Sequence, residues 1–383
     1  MNCAHDREVF TNKFRVLLIQ RILPQYRVAF FDKLNASEKL DLTFGFGGHS
    51  ADRTIMSIQP PSNWKAIKLS NWYWRQRETI CWQSGVLRLI RPENIDAVIA
   101  EFNPRILTNV LALFKARMFN LPFIWWGHGV SSTRSSKIAE GVRKKLIEIA
   151  DGVILYDDKA KSYLVDMGLP EEKFFVAFNS VDTRRIKLLR GDFQKNASKR
   201  RVIYVGRLLK QKNLDLLIRA FADVLSVTHQ DLVLTLVGDG PVKQDLIQMT
   251  NDLGVSHAVE FKGSIFDEEI LAKMYSDSLM VISPGCVGLM AIQALSFGVP
   301  LLIPDQDDHG PEANMLKDKQ TVLLFESNSI SSLTSQMIEI INNLELRSYL
   351  ITNGVDLIER YYSLDAMVGV FENALLAAVK KKG

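Results

Sequence analysis

The first half of the chain alternates short apolar runs with longer segments in which apolar residues recur at helical spacing. The run at 14–20 (Phe-Arg-Val-Leu-Leu-Ile-Gln) is typical of a buried strand, and the segment 26–34 has the spacing of an amphipathic helix. This alternation predicts a parallel sheet with helices on both faces. The other predicted strands lie at 40–46, 96–100, 122–126, 152–156 and 174–178, and the other helices at 106–120 and 136–150.

The same rhythm restarts after a polar, basic segment at 182–199, where we place the boundary between two domains. The first predicted domain covers 1–182 and the second 183–363, each a doubly wound, Rossmann-like α/β domain. Ligands of such sheets bind beyond the carboxyl ends of the strands, so a cleft between two facing domains is the expected site. The second domain is predicted to have strands at 201–205, 232–237, 259–262, 279–283 and 300–303, and a helix at 214–227.

The 383 residues are 47% hydrophobic and 23% charged, with a formal net charge of +4. This composition is typical of a folded protein and lacks the strong basic stripe of a nucleic-acid binder. Cys3, Cys81 and Cys286 are far apart and odd in number, which argues against a disulfide framework or a cysteine zinc site and favours a reducing compartment. The N-terminus lacks a secretory-signal pattern, and no apolar run reaches the roughly 18 residues of a membrane span. We therefore expect a cytoplasmic protein whose membrane contact, if any, is peripheral.

Two cations follow the first strand of the second domain. The sequence Val-Gly-Arg-Leu ends this strand in a glycine turn, and Arg207 and Lys212 lie in the loop before a helix. Two cations at the carboxyl end of a strand, beside a helix N-terminus, suit an anion such as a diphosphate. The alternative is that both are solvated loop charges.

With Gly206, Arg207 and Lys212 in this pattern, the segment resembles the start of the C-terminal domain of family 4 glycosyltransferases, which have the GT-B fold. It departs from the family at Asn213, where glycine is common. The resemblance extends over roughly the whole chain and is strongest at 201–325. It implies that Arg207 and Lys212 are catalytic residues that grip the diphosphate of a nucleotide-sugar donor and stabilise the charge of the leaving group.

Two loops further along the second domain fit the same resemblance. Gly238 allows a tight strand-to-helix turn in Leu-Val-Gly-Asp-Gly-Pro, for which a plain turn is the alternative. Ser264 and Ile265 lie in a loop that contacts the donor base in similar enzymes. The resemblance therefore predicts Gly206, Gly238, Ser264 and Ile265 as donor-binding residues.

The run at 281–300 contains no charged residue. Similar enzymes have here a glutamate, seven residues and a second glutamate, which contact the sugar hydroxyls and the ribose. The aligned positions are Gly285 and Gln293, and only the glutamine offers a side chain, through its amide, to ribose hydroxyls. Gly288 and Leu289 open a predicted helix, where their N–H groups suit a phosphate or the sugar. The alternative is a buried strand, turn and helix that only pack.

An acidic loop at 305–312, Asp-Gln-Asp-Asp-His-Gly-Pro-Glu, follows the next strand. Its spacing matches no known metal cage, and similar enzymes need no metal, so we predict neither a metal nor a cofactor. His309 or Glu312 is the candidate that reaches the sugar hydroxyls in place of the missing carboxylate. The alternative is an ordinary solvated acidic loop.

In the first domain, a strand delivers His128 between two glycines, which suits a polar site better than a core. The alternative is a histidine that caps a helix. Similar enzymes place a histidine after this strand, near the transferred sugar, which makes His128 a catalytic candidate. Tyr26 and Arg27, at the start of the first helix, are predicted to bind the acceptor, although Arg27 fits a surface ion pair equally well. The sequence around them resembles that of bacterial surface-polysaccharide and O-antigen transferases.

Two segments of the first domain combine aromatic or apolar residues with basic ones, as suits a lipid headgroup layer. One is the run Asn-Trp-Tyr-Trp-Arg-Gln-Arg at 71–77, and the other is the helix predicted at 136–150 with its basic cluster. The alternative is an ordinary solvated face with the tryptophans packed inward. The basic cluster consists of Arg134, Lys137, Arg143, Lys144 and Lys145.

The resemblance as a whole implies a GT-B glycosyltransferase with two Rossmann-like domains facing a central cleft, and a final helix within 364–383 that packs back on the first domain. It implies transfer of a sugar from a nucleotide-sugar donor to a glycan or lipid-linked acceptor with retention of configuration, as in bacterial polysaccharide or lipopolysaccharide biosynthesis. No protein nucleophile is expected, because positioning and charge stabilisation supply the catalysis. Two alternatives stay open: an inactive relative that acts as a scaffold or nucleotide-sugar binder, and a nucleotide-sugar epimerase.

Overall fold

The structure, a computed structural model, describes residues 13–49, 57–74, 80–130, 136–190, 200–228, 230–306 and 309–382. The chain divides into two compact units. One consists of Met1–Phe178 with Leu364–Gly383, and the other of Asn179–Ser363. The division falls slightly before the boundary predicted at residue 182. Ser180 donates its hydroxyl proton to the carbonyl of Tyr362, which ties this short segment to the second unit.

Strands and helices alternate along most of the first unit, as expected for a doubly wound domain. Among the described residues, the strands are β1 (Phe14–Gln20), β2 (Leu40–Phe46), β3 (Lys65–Lys68), β4 (Ser70–Trp74), β5 (Ile80–Ser84), β6 (Ala97–Glu101), β7 (Phe123–Gly127), β8 (Gly152–Leu155) and β9 (Phe174–Val176). The helices are α1 (Val28–Asn35), α2 (Val86–Leu89), α3 (Leu107–Met118), α4 (Lys137–Ile149), α5 (Asp158–Asp166) and, at the end of the chain, α13 (Leu364–Lys380).

Seven strands of the first unit form one parallel sheet in the order β3-β2-β1-β6-β7-β8-β9. Successive strands are added in one direction from β1 to β3 and in the opposite direction from β6 to β9. The topological switch point of the sheet therefore lies between β1 and β6. An aromatic cluster covers one face: Phe30 and Phe31 of α1 and Phe371 of α13 all contact the Trp126 ring of β7. Helix α13 therefore contributes to the core of the first unit.

Strands β4 and β5 form a separate antiparallel hairpin in the first unit. Trp72 lies opposite Trp82 across the pair. The hairpin is held beside the start of α3 by a hydrogen bond of 2.8 Å from the Cys81 N–H to the carbonyl of Arg105. Exposed and half-buried residues alternate along β4 with the period of a strand. The sequence pattern predicts an aromatic and basic surface here but no strand.

The second unit repeats the alternation of strands and helices. Its strands, among the described residues, are β10 (Arg201–Val205), β11 (Val233–Val237), β12 (Val259–Gly263), β13 (Ser278–Ile282), β14 (Leu301–Asp305) and β15 (Leu323–Glu326). Its helices are α6 (Thr183–Arg190), α7 (Leu214–Thr228), α8 (Lys243–Asp252), α9 (Glu268–Ser276), α10 (Leu289–Ser296), α11 (Ile330–Asn342) and α12 (Leu344–Tyr361).

The second sheet is parallel, with the order β12-β11-β10-β13-β14-β15. This is the strand order of a Rossmann domain, and its switch point lies between β10 and β13. Helices α7 and α11 bury their apolar faces on the sheet, with Phe221 and Met337 fully buried in the core. The rule for such sheets places a ligand at the carboxyl ends of β10 and β13.

The prediction of a linker at 182–199 is wrong for its first half. Thr183–Arg190 form helix α6, whose Ile186 is buried and whose Arg190 donates to the carbonyl of Ser296 at 3.2 Å. A helix with one buried side chain among many basic residues has little apolar periodicity, which is why the sequence pattern does not reveal it. Residues 191–199 lie outside the described residues.

The segment Leu344–Lys380 has the length and apolar content of a membrane span. The sequence prediction considers only uninterrupted apolar runs and therefore does not include it. The segment is not one continuous helix, since α12 ends at Tyr361 and α13 begins at Leu364. Phe371 and Leu375 of α13 are fully buried inside the first unit. Burial of this kind is typical of a core helix in a folded domain.

Candidate functional site

Glycines let the loops after β10 and β11 approach each other at the carboxyl edge of the second sheet. Gly206 donates its N–H to the carbonyl of Val237 at 2.9 Å. A Cβ atom at Gly238 would lie 1.9 Å from the carbonyl oxygen of Gly206, and Gly238 has a φ of +139°. Only glycine adopts this backbone conformation without strain. Gly206 and Gly238, both predicted donor-binding residues, therefore form a contact of backbone on backbone.

Arg207 follows Gly206 and is exposed at this edge. The carbonyl of Arg207 accepts a hydrogen bond of 3.0 Å from the hydroxyl of Tyr204. Burial raises the pKa of Tyr204, so its hydroxyl stays protonated and remains a donor. The backbone of Arg207 is thus fixed by a buried side chain, while the residue itself stays accessible to a ligand.

Lys212 lies against the loop after β13. Its Nζ donates to the carbonyl of Cys286. In the same contact, a Cβ atom at Gly285 would lie 2.5 Å from the carbonyl oxygen of Gln211 and 2.9 Å from the Cα of Lys212. The two loops touch through their backbones, so this conformation has no room for the glutamate that similar enzymes have at the position of Gly285.

Asn213, the position at which the sequence departs from the family, has a φ of +50° and a ψ of +39°. This left-handed conformation favours glycine, and asparagine is one of the few other residues that adopt it at modest cost. The Asn213 amide also lies 3.3 Å from the side-chain oxygen of Asn328. The departure therefore preserves the turn that delivers Lys212 to its loop.

The N-terminus of helix α10 lies beside the acidic loop after β14. A Cβ atom at Gly288, which directly precedes α10, would lie 3.7 Å from Oε2 of Glu312. Glu312 is only 6% exposed, and its Oε1 accepts a hydrogen bond of 2.7 Å from Nδ2 of Asn179. The structure thus brings a buried carboxylate next to Gly288 and Leu289, two of the predicted donor-binding residues.

His309 holds the same acidic loop through both nitrogens of its ring. Nδ1 accepts from the N–H of Val287 at 3.1 Å, and Nε2 lies 2.9 Å from the carbonyl of Pro304. This pair of partners assigns a neutral imidazole with its proton on Nε2. In this conformation the backbone occupies both nitrogens, and a contact of His309 with the donor stays a prediction. Asp307 and Asp308 lie outside the described residues.

Gln293 lines a small cavity of about 50 Å³ together with Asp182, Glu268 and Tyr275. Its Oε1 lies 3.5 Å from the hydroxyl of Tyr275. Burial raises the pKa of Tyr275, so this hydroxyl is a donor to the glutamine. These contacts direct the amide towards helix α9, and the predicted contact of Gln293 with a ribose stays a prediction.

Ser264 and Ile265 follow β12 at the same edge of the sheet. Strand β12 ends at Gly263, whose carbonyl accepts the N–H of Gly238 at 2.7 Å. Ser264 is exposed and Ile265 is half-buried. The structure therefore brings these two residues next to the Gly238 turn, and their contact with a donor base stays a prediction.

A buried arginine lies near the carboxyl ends of β7 and β8 in the first unit. The guanidinium of Arg27 lies over the Trp126 ring, 4.3 Å from its centroid, and its Nη2 donates to the hydroxyl of Tyr156 at 2.8 Å. Its Nη1 has no hydrogen-bond partner among the described residues. Arg27 is 9% exposed, which does not fit the alternative of a surface ion pair. Contact with aromatic faces stabilises this charge instead.

His128 follows β7 directly and is exposed, with its ring edge-on to that of Tyr156 at 4.9 Å between centroids. Partial desolvation lowers the pKa of His128; the charge of Arg27 lowers it further, whereas Asp157 and Glu101 act in the opposite direction. The neutral imidazole is therefore favoured. The helix-capping alternative does not hold for the following helix, because the Ser136 hydroxyl caps α4.

Sequence reasoning missed three residues that hold these sites, namely Trp126, Tyr156 and Asn179. The first two end apolar runs and were counted only as strand residues. Nothing in the local sequence marks Asn179, since its partner Glu312 is distant in the chain. A usable rule for the first two is that aromatic or polar residues at the last positions of parallel strands share one edge of the sheet.

The hairpin segment predicted to contact headgroups presents its tryptophans to solvent. Trp72 and Trp74 are 64% and 56% exposed, so the alternative of inward packing does not hold for them. Residues 75–79, which include two arginines of this segment, lie outside the described residues. The aromatic part of the predicted surface is therefore accessible.

The basic cluster of α4 is partly engaged within its own unit. Lys144 donates to the carbonyl of Met167 at 2.8 Å, and Lys145 forms an ion pair of 3.0 Å with Glu148. Arg134 lies outside the described residues. Arg143 is half-buried, with its guanidinium 5.6 Å from the centroid of the Phe102 ring, whereas Lys137 is exposed. These contacts weaken the case for α4 as a headgroup-binding element.

Residues 186–356 match the family model described as glycosyl transferases group 1. The matched segment lies within the second unit. It includes the loops of Arg207, Gly238 and Gly288, on which the resemblance to family 4 glycosyltransferases depends. The match therefore covers the candidate donor site but not the first unit.

Two curated proteins are similar in sequence. An uncharacterized glycosyltransferase of Methanocaldococcus jannaschii is 23% identical over 226 residues, which cover 56% of this chain and 56% of that protein. Alpha-monoglucosyldiacylglycerol synthase of Streptococcus pneumoniae is 25% identical over 241 residues, which cover 56% of this chain and 53% of that protein. The chain thus matches about half the length of each relative.

A solved structure matches almost the whole chain. The crystal structure of Anabaena HepE in complex with UDP has a TM-score of 0.70 at 15% identity and covers 95% of this chain and 100% of that one. At this identity the likeness concerns the fold, and it confirms the predicted α/β architecture with Rossmann-like units. Residues 186–356 therefore match a glycosyl transferases group 1 domain, and the chain has the GT-B fold.

Proposed function

We propose that this chain is a glycosyltransferase that transfers a sugar from a nucleotide-sugar donor to a glycan or lipid-linked acceptor. The observation that carries the proposal is the edge of the second sheet, where Arg207 and Lys212 lie beside loops joined through Gly206, Gly238 and Gly285. A helix N-terminus and two cations at the carboxyl edge of a parallel sheet suit a diphosphate. HepE, which shares the fold, was crystallised with UDP.

In the proposed donor complex, Arg207 and Lys212 hold the diphosphate. The Lys212 ammonium has three N–H donors, so it can keep the Cys286 carbonyl and still bind a phosphate oxygen. Glu312, buried beside Gly288, stands in for the sugar-binding carboxylate that Gly285 lacks. The other proposed donor-binding residues are Gly206, Gly238, Ser264, Ile265, Leu289, Gln293 and His309.

We propose further that transfer retains the anomeric configuration and uses no metal or cofactor. A donor phosphate oxygen then accepts the acceptor proton while the new glycosidic bond forms on the face that the diphosphate leaves. Arg207 and Lys212 supply the positive charge that the departing diphosphate requires. His128 is the catalytic residue proposed for the first unit, since its lowered pKa favours the neutral ring, which both donates and accepts hydrogen bonds.

For the acceptor, we propose contacts with Tyr26 and Arg27. Tyr26 is accessible at 46% exposure, and the unbalanced charge of Arg27 favours an acceptor with an anionic or strongly polar group. The Streptococcus relative is named for the synthesis of a glucosylated diacylglycerol, which supports a lipid or lipid-linked acceptor. We propose accordingly a cytoplasmic protein in peripheral contact with a membrane, active in bacterial polysaccharide or lipopolysaccharide biosynthesis.

A second candidate is a nucleotide-sugar binder that has lost transfer activity. Gly285 and Gln293 favour it, because neither position offers the carboxylate that similar enzymes have there. Such a binder and an enzyme share the donor site. Only turnover separates the two functions.

Nucleotide binding tests the donor site first. Thermal unfolding of the purified chain is followed with UDP, GDP, ADP and their sugars, because a ligand that binds only the folded state raises the melting temperature. We expect one nucleotide class to raise it in the wild type, and expect Arg207→Ala and Lys212→Ala to abolish the shift. Arg219→Ala removes an exposed arginine of α7 and is the matched control. No shift with any nucleotide would contradict the proposal.

Turnover then separates the enzyme from the binder. The nucleotide identified by binding selects the labelled nucleotide sugar, and release of the free nucleotide is measured with and without membrane extracts as a source of acceptor. Transfer that Arg207→Ala abolishes supports the glycosyltransferase. Nucleotide binding without turnover supports the binder, and an epimer formed without acceptor indicates an epimerase.

A further inference from the structure

Helix α3 presents an apolar stripe to solvent. Its inner face is fully buried, with Ala112, Leu113 and Ala116 in the core of the first unit. Its outer face carries large apolar side chains at spacings of four, three and four residues, which places them along one side of the helix. Met118 is 83% exposed. The stripe consists of Leu107, Leu111, Phe114 and Met118.

The hairpin β4–β5 continues this surface. It is attached to α3 by the N–H of Gln83, which donates to the hydroxyl oxygen of Thr108 at 3.0 Å. Trp72 and Trp74 project from the same face of β4, and Ile80, the cross-strand partner of Trp74, is also exposed. Two elements that contact each other thus each expose several large apolar side chains, whereas exposed apolar residues on an ordinary surface are scattered singly.

The charges of this region are predominantly positive. The described residues of the hairpin, of α2 and of α3 with their flanks (70–74, 80–92 and 103–120) contain five basic residues and no aspartate or glutamate. The chain as a whole has nearly balanced charge, with 47 basic and 43 acidic residues. The five are Arg88, Arg91, Arg105, Lys115 and Arg117.

Two of these cations share an open groove between the end of α2 and α3. Arg91 and Lys115 line it together with Phe119 and with one acidic residue, Glu93, from just outside the basic ranges. The groove has a volume of about 500 Å³, and Lys115 also donates to the carbonyl of Leu87. A groove with cations and an apolar wall fits a phosphate headgroup above its acyl chains.

We propose that this surface, made of hairpin β4–β5, α2 and α3, binds the face of an anionic membrane. Exposed tryptophans, an apolar stripe and an excess of flanking cations are the combination that partitions into an anionic lipid interface. A second copy of this chain docked on the same surface would bring these cations face to face, which disfavours self-association. The inference deepens the proposed lipid-linked acceptor, since it brings the first unit to where such an acceptor lies, but it does not depend on the donor chemistry.

Vesicle co-sedimentation of the full chain tests the surface. Vesicles of phosphatidylcholine alone are compared with vesicles that also contain phosphatidylglycerol. We expect binding to the anionic vesicles that weakens with salt, and a loss of about tenfold in partitioning for each exposed apolar side chain removed. Phe114→Ser with Met118→Ser tests the α3 stripe, and Trp72→Ser with Trp74→Ser tests the hairpin independently.

The matched control is Val227→Ser with Leu344→Ser, which removes two exposed apolar side chains from the second unit. It should leave vesicle binding unchanged. A nucleotide-induced melting shift in every variant shows that the fold and donor site persist, and separates failure of this surface from failure of the proposed function. Absence of binding to anionic vesicles, or binding that both α3 and hairpin variants retain, would overturn the inference. Self-association in solution that these variants abolish, without vesicle binding, would also overturn it.

Discussion

The carboxyl edges of the two sheets hold their cations in opposite ways. In the second unit, Arg207 is exposed on loops whose glycines touch through their backbones. In the first unit, Arg27 is buried against the rings of Trp126 and Tyr156. The glycine contacts leave Arg207 exposed to a ligand, whereas the aromatic rings fix Arg27 in place. The comparison teaches that a short motif marks the first kind of site, while the second is assembled from distant residues.

The largest effect is expected from Gly238→Ala. Its Cβ would lie 1.9 Å from the Gly206 carbonyl oxygen at a φ of +139°, so we expect a loss of about 3 kcal/mol or more in the stability of the second unit. All six tryptophans lie in the first unit, so their fluorescence follows that unit while circular dichroism follows both. The melting temperature measured by circular dichroism should therefore fall.

Gly141→Ala is the matched control for this prediction. Gly141 lies inside helix α4, and nothing lies within 4 Å of its Cβ position. Alanine there should be neutral or stabilise by about 0.5–1 kcal/mol. If Gly238→Ala melts like the wild type, the backbone contact between the two loops is not as close as described.

The next effect concerns the missing glutamate. Gly285→Glu restores the residue of similar enzymes, but its Cβ would lie 2.5 Å from the Gln211 carbonyl oxygen. We expect it to displace the loop of Lys212, to weaken nucleotide binding and to slow transfer by about 100-fold, the order of the loss in rate from a 1 Å misplacement. Gly141→Glu, at a position where nothing lies within 4 Å of the Cβ, adds the same side chain to the first unit and should bind the nucleotide as the wild type does. Tighter nucleotide binding or faster turnover in Gly285→Glu would contradict the steric explanation.

In the first unit, Arg27→Met should change the titration of His128. The Arg27 charge is one of the causes that lower the pKa of His128, so removing it should raise that pKa. If neutral His128 acts in catalysis, the acid limb of the pH–rate profile moves to higher pH with it. The His128 ring resonance in an NMR titration measures the shift directly.

Arg27→Lys keeps a positive charge and serves as the control for the His128 titration. It should hold the pKa of His128 nearer to that of the wild type, although lysine lacks the planar fork that stacks on Trp126. A His128 titration that is the same in Arg27→Met and the wild type would show that the two residues do not interact electrostatically.

The smallest effect is expected at Asn213. Asn213→Gly should keep the melting temperature near that of the wild type, since φ is +50° and glycine adopts this conformation freely. Asn213→Ala should cost about 1 kcal/mol, because alanine is strained there. Equal stability of the alanine variant would mean that the turn before α7 adjusts its backbone.

Much of the fold follows from the sequence alone. The runs at 14–20, 40–46 and 201–205 are strands with the predicted bounds. Buried parallel strands are short and mostly apolar, so they are visible directly in the sequence. The hairpin β4–β5 and helix α6 escape this test. Their residues are half-exposed or basic, and their conformation depends on neighbours rather than on an apolar pattern.

The sequence by itself determined the two α/β units, the GT-B resemblance and the placement of Arg207 and Lys212 after a strand, since each rests on local order along the chain. Only the tertiary structure decided what surrounds the positions at which the sequence departs from that resemblance. It brings the backbone of Gln211 against Gly285 and the carboxylate of Glu312 beside Gly288. It also buries Arg27 against the ring of Trp126. Contacts between residues far apart in the chain depend on how sheets and loops pack, and no local pattern encodes them.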